Sequence, residues 1–207
     1  MFAHVYWVMS FMFKAFLSAA CTLLLTLGVS LSAQANWYLD GESSRLSFIT
    51  TQNANVANAH RFLVLHGKVD RKGHAQLRIE MDSVNSAVPL RDERMRDVLF
   101  DFKSFPEAQI SAQIDLQPIN DLASGAQLEL HLPVTVSLRG KQHTYEAELL
   151  ATRLDERRFQ VVTLEPLMLQ AEDFGLQPEL ETLRKLAGLS AISFSVPVSA
   201  VLIFTAR

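Results

Sequence analysis

Histidines, serines and two adjoining carboxylates are the side chains of this sequence that could carry chemistry, and their spacing decides how far each can go. His60 and His66 have the same parity within one alternating stretch, but six residues of strand separate them by about 20 Å, too far to share a metal ion. His74 follows a turn glycine, and His131 and His143 occupy polar strand or turn positions, so these, like His60 and His66, read as solvent-facing or hydrogen-bonded structural side chains. No serine stands in a G-x-S-x-G elbow, and the 8 glycines form no phosphate-cradling loop. Glu172 and Asp173 could be an acid-base pair, yet neighbours in a loop usually point apart, which favours solvation. The sequence therefore predicts no catalytic residue, no metal set and no cofactor.

The run Arg91-Asp92-Glu93-Arg94-Met95-Arg96-Asp97 is the remaining concentration of charge. Asp92 and Arg96 stand at the i, i+4 spacing that pairs charges along a helix, which makes this run a solvated helix face. Arg91 and Arg94 are left as candidate contacts for an anionic head group.

The elements that must position these residues follow from composition and period. Of 207 residues, 49% are hydrophobic and 20% charged, but the apolar excess is concentrated in the first 35. That segment has one cation, Lys14, no acid, and the sole cysteine, Cys21. Ala15 to Leu31 is an apolar run after Lys14, and Ala33-Gln34-Ala35 has small residues where a signal peptidase reads, so residues 1–35 are expected to be a cleavable secretory signal. Met9 and Met12 are alternative starts. An uncleaved membrane anchor and a lipoprotein site at Ser18-Ala19-Ala20-Cys21 are the competing readings. Cleavage after Ala35 would leave no thiol for a disulfide or a thiolate site. Residues 36–207 then make one domain, with 18 Lys and Arg against 22 Asp and Glu. That mildly acidic balance excludes nucleic acid as a natural partner.

Beyond Asn36 apolar and polar residues alternate, the two-residue period of strands with one buried face. The runs begin around Leu46 and Phe48, then cover Arg61 to Val69, Leu77 to Met81, and Ile110 to Leu116. Further runs cover Leu128 to Leu138, Tyr145 to Ala151, Arg158 to about Gln170, and Ile192 to Phe204. Asp70 to Gly73 and Arg139 to Lys141 are turns. Eight such strands joined mostly by short turns predict an all-β fold, an antiparallel meander closed into a barrel. Two segments carry helical spacing instead: Leu90 to Phe102, and Pro178 to Ala187 with Gly188 as its stop. Both are expected to cover or plug the barrel.

The same helical stretch carries a resemblance. Arg91-Asp92-Glu93-Arg94-Met95-Arg96, then Leu99-Phe100, Phe105-Pro106 and a strand opening at Ala108 resemble the YceI family of bacterial lipocalin-like proteins. Trp37-x-Leu39-Asp40, Val136-x-Leu138-Arg139-Gly140-Lys141, Asp173-Phe174-Gly175-Leu176, Leu186-Ala187-Gly188-Leu189 and Val196-Pro197-Val198 are similar to the family as well, so the likeness spans nearly all of residues 36–207. The chain departs at His60-Arg61-Phe62, where many members have Gly-x-Phe, and at Val88-Pro89-Leu90, where many have Thr before the Arg-Asp pair.

The resemblance implies an eight-stranded antiparallel lipocalin-like barrel, with one or two short helices near its mouth, that holds a long apolar molecule. A polyisoprenoid, an isoprenoid quinone or a fatty amide would suit it. Inward positions then become pocket candidates: Phe48, Phe62, Val64, Leu77, Ile79, Met95, Leu99, Ile114, Leu132, Val134 and Phe194. The expected protein is a periplasmic, non-enzymatic carrier, with transient membrane contact and a homodimer both compatible with it. Two rivals stay open: an enzyme on a hydrophobic substrate using a buried His66 or His131, and a solidly packed barrel acting as an interaction module.

Overall fold

The computed structural model describes residues 36–53 and 55–207; the expected signal segment at 1–35 lies outside the described residues. The strands are β1 (Trp37–Leu39), β2 (Arg45–Gln52), β3 (Val56–Phe62), β4 (Leu65–Val69), β5 (His74–Glu80) and β6 (Val84–Asn85), followed by β7 (Glu107–Gln113) and β8 (Gln127–Leu138). The chain continues through β9 (Lys141–Asp155), β10 (Arg158–Thr163), β11 (Leu167–Gln170) and β12 (Ser195–Ala206). Every pairing among them is antiparallel.

These segments make eight walls because three walls are broken. β1 and β2 both pair with β12, at its C-terminal end and its middle, and so act as one interrupted strand. β3 on β2 and β4 on β1 make the second, and β10 and β11 share β12 in the same way. From β4 the ring runs through β5, β7, β8, β9 and β10 to β12, which returns to β1 and closes it. Closure through β1 removes the edge along that ring, as the alternation predicts, whereas β11 pairs with β12 alone and β3 meets a second strand, β6, at Arg61 and Phe62. β6 pairs with the end of β3 outside the ring.

The break between β3 and β4 changes which side chains face inward. Phe62 and Leu65 are both buried, an odd spacing that shifts the phase of the wall by one residue. Ser83 stabilises the step, since its Oγ accepts the Leu63 and Val64 amides at 3.2 and 3.1 Å. Two expected positions therefore differ. Val64 faces out and is 37% exposed. His60 and His66 lie on opposite faces, His60 buried and His66 exposed beside Glu80 at 2.8 Å.

The turns follow their residues. Asp70 Oδ1 accepts the Lys72 and His74 amides at 2.8 and 3.0 Å, and Gly73 takes a positive φ of 82° where a Cβ would run into the Ile114 carbonyl. The His74 side chain, hydrogen-bonded at 2.9 Å, holds the Asp70 carboxyl down to about 2. Arg139 and Gly140, with φ of 50° and 75°, make the two-residue turn between β8 and β9.

Three helices accompany the barrel: α1 (Pro89–Arg94), the single-turn α2 (Gln117–Asn120) and α3 (Gln177–Leu186). Pro89 and Pro178 sit in first turns, where a missing amide costs nothing. α1 widens into a π-helical turn over Met95–Phe100. That wider turn places Met95, Leu99 and Phe100 on the buried side, while Val98 and Phe102 stay half-buried. Asp92 is buried rather than solvated and accepts the Ser86 amide at 2.7 Å. The expected Asp92–Arg96 pair is not among the ion pairs of the described residues. α2 had no helical spacing to announce it; it sets Ile119 beneath the barrel.

Candidate functional site

The barrel interior is apolar and incompletely filled. A lower cavity of about 170 Å³ lies above Trp37, Ile119 and Phe159, and an upper one of about 120 Å³ lies under Leu99, Phe100, Phe174 and Leu180. Leu46, Ile110 and Val198 line both, so the two share a waist and run end to end. Trp37 and Phe159 meet edge to face with ring centroids 4.8 Å apart, which floors the lower cavity. In the upper one Phe48 stacks on Phe62 at 5.4 Å, and Phe62 leans on Phe100 at 5.7 Å. Alternation explains the lining: each wall presents every second residue inward, and those residues are Leu, Ile, Val, Phe or Ala almost throughout.

The roof is a strap of chain from Ala171 through α3, pinned to the β8–β9 hairpin. Arg139 reaches Glu179 at 2.7 Å and donates to the Leu99 carbonyl at 3.3 Å, tying α3 and the π turn to one side chain. Tyr145 donates to Asp173 at 2.6 Å, and His143 stands 3.5 Å from the same carboxylate. Burial, together with that carboxylate, holds the Tyr145 phenol well above its usual range. Asp173 is therefore a tether rather than a solvated loop acid, whereas Glu172 is exposed.

Phe48, Phe62, Ile79 and Leu99 line the upper cavity, and Leu77, Ile114, Leu132 and Val134 the lower. Met95 is buried in the surrounding core without lining either. Val64 and Phe194 are 37% and 38% exposed and are corrected as interior positions. At Phe194 the alternation slips, because the Ser193 side chain bonds the backbone of Ser195 and itself lines the cavity. Arg91 and Arg94 are half-buried on α1 and line neither cavity.

Residues with a weaker signal in the sequence complete the site. Leu46, Ile110 and Val198 form the waist, and their inward phase was the available signal. Thr50 and His60 were not distinguished from ordinary polar positions, although both fall in phase with Phe48 and Phe62. His66 and His131 point outward beside Glu80 and Glu148, at 2.8 and 3.3 Å, so neither faces the interior. Among the described residues no three His, Cys, Asp or Glu side chains converge to hold a metal ion, and no helix is long and apolar enough to cross a membrane.

A closed eight-stranded barrel with short helices at its ends and an apolar, partly open interior is a lipocalin-like architecture. A model of the YceI-like domain matches residues 37–204, and the chain belongs to the YceI family. A polyisoprenoid binding domain from Saccharophagus degradans, implicated in plant cell wall breakdown, is 36% identical, with a TM-score of 0.81 over 83% of this chain and 98% of that one. BcnA of Burkholderia cenocepacia, 17% identical with a TM-score of 0.60 over 80% of this chain and 98% of its own, shares the fold. Among curated proteins none matches the chain.

Proposed function

We propose that this protein is a non-enzymatic carrier that holds a long-chain isoprenoid-type lipid, a polyisoprenoid or an isoprenoid quinone, along the barrel axis. The observation that carries the reading is the pair of apolar cavities that both abut Leu46, Ile110 and Val198. Each methylene withdrawn from water contributes about 0.8 kcal/mol, so a tail threading both cavities is held without any reactive group. The Saccharophagus degradans domain, whose description names a polyisoprenoid, supports the same class of ligand. The apolar run and small-residue site within residues 1–35 support export to the periplasm, where such a carrier would keep a membrane lipid out of water.

The test is organic extraction and mass spectrometry of protein purified from periplasm without detergent, beside a Phe48→Asp, Phe62→Asp double variant. A stoichiometric isoprenoid in the wild type, absent from the folded variant, is the expected result. A wild-type protein free of lipid, or lipid equally retained by the variant, would refute the carrier reading.

A further inference from the structure

The upper cavity gathers its polarity in one corner. Thr50, Gln170 and Ser193 are its polar lining residues. Backbone pairing sets them side by side, because the Ser193 amide donates to the Thr51 carbonyl at 2.8 Å and Gln170 pairs with Ser195. Two of the three side chains are already engaged. Ser193 Oγ donates to the Ser195 carbonyl at 2.9 Å and accepts its amide at 3.1 Å, and Gln170 Nε2 donates to Ser195 Oγ at 3.2 Å. Among the described residues the Thr50 hydroxyl meets one partner, His60 Nε2, at 2.8 Å, and Gln170 likewise spends one of its two amide hydrogens, on Ser195.

His60 determines what that hydroxyl can do. His60 is 3% exposed and its ring packs 5.1 Å from Phe48, and among the described residues its buried Nδ1 has no hydrogen-bond partner. A buried N–H without an acceptor is rarer and costlier than an acceptor without a donor. We therefore assign the proton to Nε2 and leave Nδ1 bare. Nε2–H then donates to Thr50 Oγ1, and the hydroxyl hydrogen of Thr50 is free to point into the cavity that this side chain lines. Arg91 and Asp92 on α1 are the charged groups that bear on the ring.

We propose that Thr50, oriented by His60, is the head-group donor of the site and gives one hydrogen bond to an uncharged acceptor oxygen, such as a ketone or ester carbonyl, at the head of an isoprenoid ligand. This rests on the carrier reading above and adds an orientation, with the head beneath the α3 strap and the tail toward Trp37. A phosphate head does not suit the corner. Among the described residues no cation lines either cavity and Glu165 is the charged residue of their linings, so a buried phosphate would lack compensation.

The experiment strips the full chain of lipid and measures affinity for three probes that share the geranylgeranyl tail: geranylgeranylacetone, geranylgeranyl phosphate and the oxygen-free C23 hydrocarbon of the ketone's own skeleton. The ketone is expected to bind roughly three- to tenfold tighter than the hydrocarbon, the increment of one neutral hydrogen bond. Thr50→Val should erase that preference, read as the ratio of ketone to hydrocarbon affinity within the variant, with its melting curve reporting that it is folded. Thr50→Ser should keep it. Equal binding of ketone and hydrocarbon by the wild type, a preference that survives Thr50→Val, or tightest binding of the phosphate would overturn the proposal while leaving the carrier reading standing. Failure of every probe to bind would overturn both.

Discussion

At His60 a buried ring makes stability depend on pH. Desolvation, assisted by Arg91 and opposed by Asp92, lowers its affinity for a proton below the ordinary histidine value of 6.5. The unfolded chain therefore binds the proton more readily than the folded one, and folding is progressively disfavoured as pH falls below 6.5. The melting temperature of the wild type is expected to drop more steeply between about pH 7 and about pH 5 than that of His60→Gln, which cannot take up the proton. Parallel curves for the two proteins would show that His60 is not the titrating group. The inward phase of His60 was legible beside Phe62, since residues two apart share a face. Its unpartnered nitrogen was not, because hydrogen-bond accounts close across elements that one strand's sequence does not name.

Elements carry the barrel's form and its access. The eight walls were legible because Leu, Ile, Val and Phe recur with period two in β2, β5, β8 and β12, and burial of one face enforces that register. The step at Leu63 and Val64 was not, because the group that satisfies those amides is Ser83, twenty residues on. The π turn over Met95–Phe100 likewise has no period of its own; packing under the roof selects it. Arg139 fastens that roof, with side-chain exposures of 20% for Arg139 and 25% for Glu179. Glu179 Oε2 is already buried without a partner among the described residues, so removing the guanidinium leaves the carboxylate poorly compensated. Arg139→Ala is expected to cost about 1–3 kcal/mol in stability, read by thermal or urea unfolding, and to speed ligand release. Unchanged stability and release would mean that the strap is held by Leu180 and Phe174 packing alone.

For the whole molecule, closure of the ring and incomplete filling of its interior belong together. A barrel of this strand number has an interior that side chains can fill or a small ligand can share, and here the lining stops short of filling it at two levels. The family and the apolar faces were legible in the sequence. The division of the interior at Leu46, Ile110 and Val198 was not, because it depends on which inward side chains from three separate walls meet. If one tail threads both levels, affinity must grow with its length until the floor at Trp37 and Phe159 is reached, and narrowing the waist must end that growth early.

The most direct measurement is the affinity of lipid-stripped protein for a series of isoprenoids of increasing length, compared with an Ile110→Trp variant that fills the waist. In the wild type, affinity is expected to rise with each five-carbon unit through the medium lengths, by up to about 3 kcal/mol per unit before ordering costs. In the variant it should level off once the upper cavity is occupied. Affinity that is independent of tail length, or an identical profile in both proteins, would contradict the account of a single end-to-end lipid site.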